Sequence, residues 1–413
     1  MKRIINFIVV TILVTTNIVA QDSLTAQHLK PFTHTFDVTN GKLSGEGKAF
    51  LEAEMAKAQY TMIGEYHGSK RISEFTNAII PLLHNLNYKA MAFEVGPVTG
   101  EQLNNLNGNV EDKIKQWHQK YIMRDADGDA ILAFPFFDYK EDAQFLQRVK
   151  DNSWSVFGID QEYYDSYIML ADMMYNNLSN VLKKQHKELY TKTIAELRTF
   201  YKNDQNDKQN LHVALSNSEV FQKYLKTMES QPNNIEIIEA LKHSSAIYLL
   251  YNNRKWYENN ATRISYMKSL LRKGLERLDF DLAKDKLLIK MGGYHLSKGF
   301  SPLSLYEVGN TLNELAEYHG NTALNIGFMQ RYYKDGDEIV DNFLSKNRYY
   351  KSRKALLEVG QKDQWVVIDL RPLIKRYFYY PQKFKLNKNL EELVQRYDLL
   401  VIPKIEVKGI INY

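Results

Sequence analysis

Tyr60-Thr61-Met62-Ile63-Gly64-Glu65-Tyr66-His67 and Leu287-Leu288-Ile289-Lys290-Met291-Gly292-Gly293-Tyr294-His295 decide the fold. In each, a short apolar run ends in Gly-x-Tyr-His, the pattern of a buried strand running out into a loop. Ligands of an open parallel sheet sit beyond the carboxyl ends of its strands. Two such strands in one sheet would bring His67 and His295 to a single rim. Working outward from the first stretch, Ser69 can cap a helix from about Lys70 to Leu86, with Ile72, Phe75, Ile79, Leu82 and Leu83 on one face. Lys89-Ala90-Met91-Ala92-Phe93 then reads as the next strand, ending in Glu94, and Gly96-Pro97 opens another helix. A strand-helix-strand unit of this kind makes its strands parallel.

Ser153 to Ile159 reads as a third strand, ending in Asp160-Gln161-Glu162, and from about Tyr163 to Leu282 the sequence is helix-periodic and nearly free of proline. Strands return at Lys286–Met291, Thr322–Phe328, Trp365–Leu370 and Leu399–Ile402. Upstream, a polar lead-in precedes a helix expected over Leu43 to Lys57. The alternation predicts an α/β fold, a mainly parallel sheet flanked by helices, with a large helical insertion capping the strand C-terminal rim. The expected organisation is a signal peptide at 1–20, a first part of the core at 21–162, the insertion at 163–282 and a second part of the core at 283–413.

Residues 1–20 have the layout of a secretory signal: Lys2 and Arg3, an apolar stretch from Ile4 to Val19, and a small residue, Ala20, before Gln21. The expectation is export to the periplasm or the exterior, with no stable membrane span after cleavage. The chain has no cysteine, which rules out disulfides, thiolate catalysis and cysteine metal sites. Its formal charge of +5 is spread along 413 residues and gives no reason to invoke nucleic acid. The expected partner is a small-molecule or peptide substrate.

Glu65, His67, Glu94, Asp160 and His295 all fall at predicted strand ends. Burying acids and imidazoles together is costly unless they pair or bind something. Two readings stay open. His67, His295 and Glu94 suit a divalent metal such as Zn, Mn or Co, which would lower the pKa of bound water. Without metal, His67 acts as general base on water, with Glu65 or Glu94 orienting the ring. Arg71, four residues after His67, and Arg263 are candidates for holding substrate, Arg71 by gripping a carboxylate or phosphate. Asp125 to Asp129 reads as a polar turn, because its glycine is misplaced for a calcium loop. No Gly-x-Ser-x-Gly elbow supports serine catalysis.

Gly64-Glu65-Tyr66-His67-Gly68, the helix carrying Glu74, and Ala92-Phe93-Glu94-Val95-Gly96 resemble the opening of the erythromycin esterase, ChaN-like and TIKI/TraB superfamily. Gly292 to His295 resembles the late motif of the TIKI branch. Asn260-Ala261-Thr262-Arg263 and Gly158-Ile159-Asp160 are similar to esterase-branch segments. The resemblance runs discontinuously from about Tyr60 to Gly299. It implies an α/β core with its site at the strand ends and a hydrolase acting on an ester or amide, with His67 as base or ligand, Glu65 and Glu94 as supporting acids and His295 as partner. The ChaN-like branch implies haem or iron-ligand binding as the alternative, through Tyr66, Tyr294 or a motif histidine. Two positions depart from the esterase pattern: one residue rather than two separates Glu65 from His67, and Gly292 stands where the esterases have a second histidine. A silent relative whose helical insertion binds a partner is the third reading.

Overall fold

The computed structural model describes residues 23–125, 127–379 and 385–413. The expected signal peptide at 1–20 lies outside the described residues. Nine strands form one sheet among them: β1 Thr33–Thr39, β2 Lys42–Ser44, β3 Ala58–Glu65, β4 Tyr88–Phe93, β5 Ser155–Gly158, β6 Lys286–Gly292, β7 Thr322–Phe328, β8 Trp365–Asp369 and β9 Leu399–Ile402. Their spatial order is β2-β1-β8-β9-β7-β3-β6-β4-β5. The six strands from β9 to β5 run parallel, and β8, β1 and β2 join antiparallel at one edge. The α/β reading with a mainly parallel sheet holds.

One topological step positions the site. The chain leaves β3 for β4 and then β5, and after the helical stretch it returns through β6, which slots between β3 and β4. Glu65 therefore lies in register with Gly292, and Lys290 with both Ile63 and Phe93. Residues 197 to 227 positions apart become neighbours at one strand end. The glycines make the approach close: a Cβ on Gly64 would sit 3.0 Å from the Cα of Gly293. The two Gly-x-Tyr-His phrases pack backbone against backbone.

Both faces of the parallel strands are covered, so successive residues are apolar in both directions. Ile63, Phe93 and Leu288 pack on one side against Phe75 and Ile79 of helix Lys70–Asn85 and Phe145 of helix Lys140–Asp151. Met62, Ala92 and Ile289 pack on the other side against Leu270 and Leu271 of helix Trp256–Arg277 and Leu312 of helix Val308–Tyr318. Ser69 caps its helix as expected, accepting from the Ile72 amide at 3.1 Å. From Tyr167 to Arg277 the chain is helical without a strand. None of the described helices is long and apolar enough to cross a membrane.

Two local expectations are corrected. The lead-in is a hairpin, β1 and β2, whose Phe36, Val38 and Leu43 point inward at alternate positions. Leu43 belongs to that hairpin, and the following helix starts only at Glu46.

Candidate active site

A cavity of about 810 Å³ opens at the carboxyl ends of the parallel strands. It is lined by His67, Glu94, Asp160, Arg263 and His295, together with a set of tyrosines and two further arginines. The structure thus brings five of the residues singled out in the sequence to one place. Glu65 lines the same cavity from the end of β3.

The first cluster is built on β3 and β6. The Glu65 carboxylate is buried, with Oε1 3.3 Å from His67 Nδ1 and Oε2 against the ammonium of Lys290. Lys290 is 4% exposed. Its position in the middle of an apolar strand would cost several kcal/mol without partners, and Glu65 and the Phe145 ring 5.3 Å away supply them. Burial alone would raise the Glu65 pKa, but Lys290 and His67 outweigh it and hold it below the ordinary range. A charged Glu65 can only accept a hydrogen bond, so His67 presents Nδ1–H to it and keeps its lone pair on Nε2. The His67 side chain is 47% exposed. Burial pulls its pKa down, yet the Glu65 bond and the nearby Glu94 charge raise it above the usual value.

His67 is further fixed by Phe136, whose ring stacks on it at 4.4 Å. Phe136 adopts φ 68°, a left-handed conformation that costs a bulky residue about 1–3 kcal/mol. Gly292 leaves room on the other side, where a Cβ would lie 3.2 Å from both His67 Nε2 and Glu94 Oε2.

The second cluster joins β4, β6 and helix Trp256–Arg277. Glu94 accepts from the Gly292 amide through Oε2 and from Arg263 at 3.0 Å through Oε1. Arg263 also grips Asp160 with two bonds, at 2.9 and 2.5 Å. His295 is 7% exposed, with Nε2 3.5 Å from Glu94 and Nδ1 3.0 Å from Glu307. Glu307 is buried and held in turn by Ser301 at 2.8 Å.

One sequence-predicted site residue stands elsewhere. Arg71 does not line the cavity: its guanidinium is taken by Glu74 at 2.7 Å and the Ile405 carbonyl at 2.9 Å. Glu162 caps helix Pro97–Asn104 through Val98 and Thr99, with its pKa raised to about 7 by burial. Asp125 closes the expected polar turn, accepting from the amides of Asp127 and Asp129. Tyr163, just beyond the β5 end, lines the cavity, and Tyr167, four residues on, is core.

The metal set fits poorly. Glu94, the one acid of that set, already carries Arg263 through Oε1 and the Gly292 amide through Oε2, and His295 Nε2 faces that same carboxylate at 3.5 Å. Among the described residues no group of three or more histidines and acids is arranged to hold a metal ion. The expectation of a zinc, manganese or cobalt site on His67, His295 and Glu94 is therefore not carried forward, because Arg263 already neutralises its one acid.

An erythromycin esterase variant solved in its open conformation superposes with a TM-score of 0.53 at 13% identity, over 91% of this chain and 98% of that one. The chain has the erythromycin esterase fold. A succinoglycan biosynthesis protein gives a TM-score of 0.53 at 13% identity, covering 94% of this chain and 97% of its own. A Bacillus cereus protein gives 0.50 at 15%, covering 94% and 98%. No family model and no curated protein matches the sequence. The esterase fold is thus shared over nearly the whole length at an identity where only the architecture carries across.

Sequence reasoning missed Lys290, Glu307 and Phe136. Lys290 had a visible cue, a lone charge inside an apolar run. Glu307 and Phe136 had none, because each meets its histidine only through the tertiary fold.

Proposed function

We propose that this protein is a hydrolase in which His67 activates water for attack on an ester or amide carbonyl. The observation that carries the reading is the Glu65–His67 pair, which leaves the Nε2 lone pair of a half-exposed imidazole at the cavity wall. Nε2 takes a proton from water as the water oxygen bonds to the carbonyl carbon. The tetrahedral oxyanion collapses, the bond to the leaving oxygen or nitrogen breaks, and the leaving group takes a proton back from the imidazolium. Glu65, locked by Lys290, stabilises that imidazolium. Arg263 and Asp160, fixed on each other, hold substrate beside Glu94, and His295 backs the reacting groups.

Positioned general-base catalysis contributes roughly 10²–10⁴-fold. His67→Ala should therefore lower kcat/KM on a panel of aryl esters at least about 100-fold while the circular dichroism spectrum stays native. Undiminished turnover by the folded variant rejects the reading.

Haem binding is the competing proposal. Burial, and then the charge of Glu406, hold the Tyr66 phenol well above its ordinary pKa, and its hydroxyl donates to Glu406 at 2.8 Å. Of the two phrase tyrosines, the half-exposed Tyr294 at the cavity is the one placed to meet a ligand. A shifted Soret band at stoichiometric haem, lost in Tyr294→Phe, would favour this alternative. We also propose export, on the layout of residues 1–20; a mature amino terminus at Gln21 tests it. Assigning 163–282 to substrate choice is likewise a proposal, supported by the position of Tyr248 and Arg263 in the cavity wall.

A further inference from the structure

Three arginines line the large cavity, and their surroundings differ. Arg263 is held by two carboxylates, Asp160 and Glu94. Arg396 meets Glu392 at 3.1 Å through one terminal nitrogen and leaves its buried Nε without a partner. Arg353 is only 8% exposed, and among the described residues it forms no ion pair. Its Nη1 donates to the Tyr349 carbonyl at 2.8 Å and the Ser352 hydroxyl at 3.1 Å. The guanidinium lies 4.0 Å from the centre of the Tyr349 ring, and its buried Nε has no partner.

A guanidinium stays charged at any physiological pH, and a buried charge is costly unless an opposite charge answers it. The chain provides that answer for Arg263 and withholds it from Arg353. What remains is the cavity side, where the planar fork of an arginine matches the oxygens of a carboxylate or phosphate. The arginine wall is also tied to the reacting end. Tyr397, next in sequence to Arg396, donates its hydroxyl to the Gly293 carbonyl at 2.7 Å, inside the second Gly-x-Tyr-His phrase.

We propose that Arg353 and Arg396 form an oxyanion subsite, and that the substrate is an ester or amide bearing a carboxylate or phosphate group. The inference rests on the hydrolase reading, since it places that anion on the arginine wall while the carbonyl meets His67. It gives these two residues the anion-gripping role that sequence position suggested for Arg71.

The test is calorimetric titration of the full chain at fixed ionic strength with inorganic phosphate in one arm and succinate in the other. At least one anion should bind saturably, and the tighter one names the group. Arg353→Gln should weaken that binding at least about tenfold, Arg396→Gln should weaken it too, and His67→Ala should leave it intact. No saturable binding of either anion, or equal binding to wild type and Arg353→Gln, overturns the subsite. Should Arg353→Gln fail to fold, Arg353→Lys keeps the charge and loses the fork. Unchanged affinity in that variant and in Arg396→Gln is equally fatal. Because the readout is binding, the subsite can fall while His67-dependent hydrolysis stands, and the reverse.

Discussion

The same four-residue phrase is used twice and comes out differently. In Gly64-Glu65-Tyr66-His67 the strand runs on through Glu65, the tyrosine is bound to Glu406, and the histidine faces the cavity. In Gly292-Gly293-Tyr294-His295 the strand stops at the first glycine and a 3₁₀ turn follows, so the tyrosine is exposed and the histidine buried. Each imidazole has an acid on Nδ1, Glu65 for His67 and Glu307 for His295. What separates them is what lies beyond Nε2: open cavity and a glycine for His67, the carboxylate of Glu94 for His295. A motif thus specifies a backbone exit from a sheet, and the neighbours decide which copy keeps an open Nε2.

That contrast can be broken from either side. The largest effect on stability should come from Lys290→Met. It leaves Glu65 buried with its strongest partner gone, and removing one member of a buried ion pair costs about 3–5 kcal/mol. Urea unfolding should show a loss of that size, and a loss under about 1 kcal/mol would mean that Lys290 is not what holds the first cluster. His295→Ala should cost less, about 1–3 kcal/mol, because Glu307 loses one hydrogen-bond partner but keeps Ser301. A larger loss there than in Lys290→Met would reverse the order argued for the two clusters.

Much of the fold was legible because the parallel strands are short, mostly apolar runs, and those that carry the site run out through glycine or straight into an acid, which few other elements imitate. The β1–β2 hairpin was not, since an edge pair covered on one side mixes His34, Thr35 and Asp37 with Phe36 and Val38. At the site, residues at strand ends were found by counting along the chain, and β6 slotting between β3 and β4 made them converge. Arg71 shows the limit. Its place four residues after His67 put it near the site, but the carboxy-terminal segment around Ile405 and Glu406 arrives from the other end of the chain and takes its guanidinium and amide. Arg353 shows the converse: nothing in Ser352-Arg353-Lys354 distinguishes it from a surface cation, and only burial without an acid marks it.

Glu65 is what fixes His67 with its lone pair on Nε2 and raises its pKa. Long-range proton–nitrogen spectra of protein labelled with ¹⁵N-histidine, with His67 assigned by loss of its signals in His67→Ala, measure both properties without any substrate. Neutral His67 should be the Nδ1–H tautomer, with a midpoint above the free-imidazole value of about 6.5 that falls in Glu65→Gln. Neutral His67 carrying its proton on Nε2, or a midpoint below that value and unmoved by Glu65→Gln, would contradict this role of Glu65.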